Sequence, residues 1–167
     1  MSKILNGFIA AAICFSGSAS VSAEEARMKV LVLGTESPVL SDVQDRVLRE
    51  SVMRELLAAG IAIVPVMELE REIQLDAVNV RSVPLSTVPA LAERFGARLI
   101  LRGAYGGKNR AGVYTLIIED AVEGKRYATD LDLLRGEPFQ VYCPGLVKRI
   151  VVKTREIAGG LQRGPLQ

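Results

Sequence analysis

Residues 28–33, MKVLVL, form an apolar run rich in branched side chains, and Gly34 closes the run. A strand whose residues are apolar on both faces is typical of a strand that lies inside a covered sheet. The run therefore predicts a buried first strand.

A capped helix is predicted to follow this strand. Ser41 and Gln44 have the spacing of a capping box, in which the hydroxyl and the Gln side chain bond backbone N–H groups of the first turn. Asp42 adds negative charge where the helix dipole favours it, and Gly60 provides the stop.

A second buried strand is predicted over residues 61–66, IAIVPV. Pro65 has no N–H, which indicates an edge position or the end of the strand. Three segments come next: a short charged helix over 67–75, an irregular stretch over 76–84 and an amphipathic helix over 88–95. Ser86 or Thr87 is expected to cap the last helix, and Gly96 to end it.

The second half of the chain predicts three strands and a long helix. The expected ranges are 97–104, 113–122 and 127–134 for the strands, and about 144–161 for the helix. A glycine-rich loop over 106–112 and a turn at Glu123 and Gly124 join the strands, which indicates an antiparallel meander. Asp130 and Asp132 share one side of the last strand, so that side is expected to face water.

The order β-α-β-α-α-β-β-β-α predicts an α/β fold of the mixed α+β kind, in two or three layers. The expected core is one mixed sheet, covered mainly on one face by helices. No linker, repeat or low-complexity tract divides residues 24–167, whose length is that of one ordinary domain. The sequence thus predicts a single domain.

The first 23 residues predict a signal for export. Lys3 supplies a positive charge, an apolar stretch covers residues 4–15, and small residues lead to Ala23. A membrane-spanning helix needs roughly 20 apolar residues, whereas a secretory signal needs about 7–15. We expect cleavage after Ala23 and a periplasmic location, the alternative being an uncleaved helix. Contact with a membrane is expected only if Cys14 is lipidated, which its bulky neighbours disfavour.

Composition excludes several kinds of chemistry. The chain has no His, and Cys143 is the single thiol once Cys14 has been removed. Imidazole is the usual general base near neutral pH and the commonest metal ligand, so His-dependent triads and metal sites are excluded. One Cys cannot form a thiolate zinc site within the chain. The sequence predicts no metal, no cofactor and no enzyme activity, although chemistry by carboxylates alone stays open.

Charge gives no indication of a nucleic-acid partner. The net charge of the whole chain is +2, and removal of Lys3 leaves +1. Such a balance creates no overall field that would attract nucleic acid or anionic lipid.

Part of the first predicted helix is a candidate partner surface. Four of its apolar residues lie largely outside the stripe formed by Leu48, Val52 and Leu56; they are Val43, Val47, Met53 and Leu57. Contacts with neighbouring helices would explain them, and so would an exposed surface for a partner or a second copy.

Two further features are candidate sites. Lys108 and Arg110 stand among the glycines of the 106–112 loop and could contact an anion, the alternative being a plain hairpin turn. Cys143 precedes Pro144 at the predicted start of the last helix. There the helix dipole would lower its pKa and make it a reactive thiol, the alternative being an inert, half-buried thiol.

The chain resembles a known envelope family over residues 28–161. The matching pieces are VLVLG, LLAAGIAIVPV, MELEREI, LAERFGARLILRGAY and VYTLIIEDAVEGK. They are similar to the domain shared by the curli-secretion lipoprotein and the N-terminal domain of the Tol-system β-propeller protein. Glu123 replaces the Thr that the family often carries before the turn glycine. The resemblance implies an accessory module that recognises protein or cell-wall partners, and no catalytic residue is carried over.

Two functions follow from these observations. The first is a non-enzymatic periplasmic accessory protein that binds an envelope protein or a second copy, in outer-membrane assembly or secretion. The alternative is a small-ligand-binding or hydrolytic α/β protein that uses Glu36 and Ser37. These residues follow the first strand, where open α/β sheets commonly place ligands.

Overall fold

The computed structural model describes residues 28–75, 80–105, 112–133 and 137–163. Its strands are β1 (Lys29–Glu36), β2 (Ala62–Ile63), β3 (Leu99–Tyr105), β4 (Val113–Asp120) and β5 (Arg126–Asp132). Its α-helices are α1 (Asp42–Ala58), α2 (Val66–Leu75), α3 (Val88–Phe95) and α4 (Phe139–Arg163), with a 3₁₀ turn at Val80–Ser82. The predicted signal at residues 1–23 lies outside the described residues.

The five strands form one mixed sheet in the order β2-β1-β3-β4-β5. β1 is parallel to both β2 and β3, while β3, β4 and β5 are successively antiparallel. The mixed α/β fold and the meander are therefore confirmed. β2 occupies the sheet edge, as Pro65 indicated, and it is shorter than expected because the chain enters α2 directly after that proline.

Helices cover both faces of the sheet at β1, which corrects the expected cover on mainly one face. Val30 and Val32 join the core that includes α1 and α4, whereas Leu31 and Leu33 join a second core that includes α2 and α3. Successive side chains of a strand point to opposite faces, so a fully buried strand needs cover on both. The predicted wet side of β5 is confirmed, because Asp130 and Asp132 are exposed.

Two helix starts differ from expectation. Thr87 occupies the N-cap of α3 but makes no side-chain capping bond, because its hydroxyl donates to the Pro84 carbonyl (2.8 Å). α4 begins at Phe139, so Pro144 lies inside it rather than at its start. The extra turn is stabilised because Phe139 is buried and the Val141 N–H donates to the Pro138 carbonyl (2.9 Å).

The capping box of α1 is present as predicted. The Gln44 N–H donates to Ser41 Oγ (3.2 Å), and the Ser41 N–H donates to Gln44 Oε1 (2.9 Å).

We expect Ser41→Ala to lower the free energy of unfolding by about 1 kcal/mol, because an orphan N–H of the first turn loses its acceptor. Urea denaturation measures the change. Ser86→Ala, in an exposed turn, is the control and should stay within about 0.5 kcal/mol of the unaltered chain. Equal stability of both variants would contradict a stabilising cap.

Candidate functional site

The structure separates the four apolar residues of α1 that sequence singled out. Val43, Val47 and Leu57 are exposed (72%, 44% and 55%), whereas Met53 is buried at 3%. The prediction of Met53 as a surface residue is therefore wrong, because its side chain joins the core shared by α1 and α4. Val43 and Val47 are neighbours one turn apart, but Leu57 lies about 15 Å further along the helix axis from Val47.

A groove of about 420 Å³ runs between α1 and the first turns of α4. Its apolar walls come from Val47 on α1 and from Phe139, Pro144 and Val147 on α4. Arg54, Glu55 and Lys148 supply its charged residues, so positive charge exceeds negative charge there. Val43 extends the exposed apolar surface from Val47 by one helical turn. We call Val43, Val47 and this groove the α1–α4 surface.

Cys143 lies in this groove but not at a helix start. The thiol is 6% exposed, and burial raises its pKa. Because α4 starts four residues earlier, the argument that placed Cys143 beside the helix N-terminus is wrong. A raised pKa keeps the sulfur in its less nucleophilic thiol form at neutral pH. Lys108 and Arg110 lie outside the described residues, so their proposed contact with an anion stays a prediction.

A second cleft, of about 490 Å³, lies at the carboxyl ends of the parallel strands β1 and β3. Glu36 lines it, as the alternative function required. Ser37 instead has a structural role, because its Oγ accepts the N–H groups of Val39 and Leu40 (3.0 Å each) in the turn before α1. The structure thus brings one of the two proposed ligand residues to the cleft and assigns the other to a turn.

Three arginines line the same cleft, and the sequence analysis did not identify them as a group. They are Arg81 from the 3₁₀ turn, Arg102 from β3 and Arg126 from β5. The sequence contains one signal of this site: Arg102 is a charged residue within the otherwise apolar run LILRGA. Their convergence depends on strand register, which the sequence alone does not give. We call this site the arginine cleft.

The described residues offer no evident metal site and no membrane span. Among them, no three His, Cys, Asp or Glu side chains are grouped so as to hold a metal ion. No helix in the same part of the chain combines the length and the apolar character that a membrane crossing requires.

Comparison with known proteins identifies similar folds. No protein-family model matches the sequence, and no curated protein matches it. The LpoB C-terminal domain from Salmonella enterica has a TM-score of 0.51 at 16% identity, over 65% of this chain and 84% of that chain. Lipoprotein GNA1162 from Neisseria meningitidis has a TM-score of 0.49 at 17% identity, over 77% of this chain and 99% of that chain.

At such identities the likeness concerns the fold alone. It agrees with the mixed α/β architecture that the sequence predicts. The comparisons do not specifically show the curli-secretion or Tol-system family, so that narrower resemblance stays a prediction.

Proposed function

We propose that this chain is a non-enzymatic accessory protein of the cell envelope that binds a protein partner at the α1–α4 surface. The observation that carries the proposal is the groove itself, which places exposed Val47 beside the buried Phe139 and Val147, with exposed Val43 one helical turn away. Exposed apolar side chains that border a concave apolar surface are typical of protein interaction sites. The predicted export signal and the family resemblance support an envelope location, and the absence of His favours binding over catalysis.

The lining of the groove defines the chemistry of the partner. Arg54 and Lys148 flank the apolar walls, against the single carboxylate of Glu55 in the lining. An amphipathic helix with apolar side chains one turn apart and an acidic flank fits both properties. We therefore propose such a segment of an envelope protein as the occupant, for outer-membrane assembly or secretion.

The proposal is tested with two matched variants on one helix. Val47→Glu places a carboxylate in the groove, whereas Leu57→Glu makes the same change at an exposed position about 15 Å away along α1. A photo-crosslinking residue at Val43 in the cell captures the partner, whose bound segment is then identified by mass spectrometry. A synthetic peptide of that segment is titrated against each variant.

We expect Val47→Glu to weaken peptide binding by about tenfold or more, because a central interface residue is lost. We expect Leu57→Glu to have little effect on peptide binding. Equal weakening by both variants would contradict the assigned surface. A crosslink only to a second copy of this chain would replace the envelope partner by a homodimer. A captured segment without an apolar helical face would contradict the proposed occupant.

A further inference from the structure

The arginine cleft carries an inference beyond the proposed partner binding. It covers the carboxyl-terminal parts of the neighbouring parallel strands β1 and β3, near the position where open α/β sheets bind ligands, and it extends across β4 to Arg126 on β5. Its volume of about 490 Å³ falls within the range of about 300–1,000 Å³ that small-molecule sites occupy. Size and position both suit a small ligand.

Two of its arginines share one carboxylate. Arg102 NH2 lies 3.3 Å from Glu119 Oε1, and Arg126 Nε lies 3.5 Å from the same oxygen. The Nε of Arg102 is in addition buried without a hydrogen-bond partner. A carboxylate held by two guanidinium groups leaves one positive charge in excess, so this side of the cleft favours an anionic group.

Arg81 has a different role in the same site. Its guanidinium donates to the backbone carbonyls of Ser37 (3.1 Å) and Leu40 (2.8 Å) and pairs with Asp42 (2.5 Å). These bonds fasten the 3₁₀ turn to the loop between β1 and α1. Arg81 therefore fixes one wall of the cleft, and we assign the anion to Arg102 and Arg126.

A negative group stands on the other side of the cleft. Glu36 is exposed and lies next to Ala104 in the register of β1 and β3, on the same cleft as Arg102. From strand spacing, the Cα atoms of Glu36 and Arg102 are about 8 Å apart. Leu33, Val83 and Ile117 supply apolar lining in the same cleft. The cleft thus offers a cationic end, an anionic end and an apolar floor.

We propose that the arginine cleft binds a small zwitterion with an apolar side chain, of the amino acid or dipeptide class. The ligand carboxylate pairs with Arg102 and Arg126, its ammonium group pairs with Glu36, and its side chain contacts the apolar floor. Opposite charges at the two ends select against ligands with negative charge alone, because Glu36 repels a second anionic group.

The probe for this site is the dipeptide alanyl-leucine, titrated into the mature protein by calorimetry. Three comparison ligands measure how much each charged group of the dipeptide contributes to binding. The C-terminal amide of the dipeptide lacks the carboxylate, and its N-acetyl form lacks the ammonium group. Inorganic phosphate offers only an anion. We expect the amide to bind about tenfold more weakly or worse, because a charged hydrogen bond to the guanidinium groups is lost. The N-acetyl form is expected to bind more weakly than the dipeptide, and phosphate more weakly still.

Variants assign the binding to the cleft. Arg126→Gln removes a half-exposed cation and should weaken dipeptide binding by about tenfold, and Glu36→Gln should erase the difference between the dipeptide and its N-acetyl form. Arg155→Gln makes the matched change at an exposed position on α4 and should bind normally. Thermal unfolding checks that each variant is folded.

Several outcomes would overturn the inference. These are no dipeptide binding at millimolar concentration, unchanged binding in Arg126→Gln, and phosphate binding as tight as the dipeptide. An N-acetyl form that binds as well as the dipeptide would remove the role of Glu36. The test is independent of the proposed function, because Val47→Glu should leave dipeptide affinity unchanged and Arg126→Gln should leave partner binding unchanged.

Discussion

Replacing Gly103 by Ala is expected to lower the free energy of unfolding by about 3 kcal/mol, the upper part of the range for overpacked cores. Tyr114 covers this glycine so closely that an added Cβ would overlap its hydroxyl oxygen and Cζ, and would lie 2.8 Å from its Cε2. Tyr114 is 4% exposed, so a shift of its ring would disturb the core packed around it. Burial, the largest influence, raises the pKa of the Tyr114 hydroxyl to about 12, and a hydrogen bond between the Thr35 and Tyr114 hydroxyls opposes the shift. Urea denaturation measures the loss.

A double-mutant cycle identifies Tyr114 as the cause. In a Tyr114→Leu background the aromatic ring is absent, so Gly103→Ala should cost markedly less than it does in the unaltered chain. Gly145→Ala, inside α4 with open space around the added Cβ, is the control and should not destabilise the fold. Equal costs of Gly103→Ala in both backgrounds would show that the ring is not what the methyl group meets.

Asp120→Ala is expected to cost about 3 kcal/mol, because one buried carboxylate stabilises the whole turn between β4 and β5. Its Oδ1 accepts the N–H groups of Val122 (2.9 Å) and Glu123 (3.2 Å), and its Oδ2 accepts from Arg98 NH2 (3.2 Å). The Asp120 side chain is fully buried, so truncation removes the acceptor of the Val122 and Glu123 N–H groups and the nearer carboxylate of Arg98. Asp132→Ala, on the exposed side of β5, should change stability by less than about 0.5 kcal/mol.

The same carboxylate makes stability depend on pH. Burial alone would raise the pKa of Asp120, but the N–H groups of Val122 and Glu123, together with Arg98, lower it below the ordinary value of 3.8. A pKa that is lower in the folded state gives stability that is present above the unfolded pKa and is lost as pH falls through the folded pKa.

We therefore expect the free energy of unfolding to fall in acid below pH 3.8, and to fall less steeply in Asp120→Asn, which cannot titrate. Urea denaturation between neutral pH and strong acid measures both slopes. Parallel slopes in the two proteins would contradict a lowered pKa at Asp120.

Local signals explain which elements the sequence predicted well. The capping box of α1, the αL glycine at Gly96 and the apolar run of β1 each depend on residues that are close in sequence. The start of α4 was misplaced because Pro144 is a helix-start signal, while the burial of Phe139 that extends the helix is a tertiary effect.

The candidate sites depend on contacts that no local pattern contains. Arg102 and Arg126 meet only because Glu119 lies between them, paired in register with Arg126 and one strand away from Arg102. Met53 looked like a surface residue because helical periodicity shows which side chains share a face but not how many neighbouring elements bury that face. Exposure of Val43 and Val47 could be proposed from sequence, but their separation from Leu57 required the helix geometry.

β1 lies between β2 and β3 in the sheet, and this position also affects how the chain is made. Val30 pairs with Leu99, so its parallel partner is synthesised about 70 residues later. At roughly 5–20 residues per second, this buried strand waits about 4–14 s for that partner. Before then only the two residues of β2 can pair with it. While roughly 70 of its 167 residues are added, the nascent chain therefore contains an apolar strand without its main partner, and we expect chaperones that bind the chain to act first at this strand.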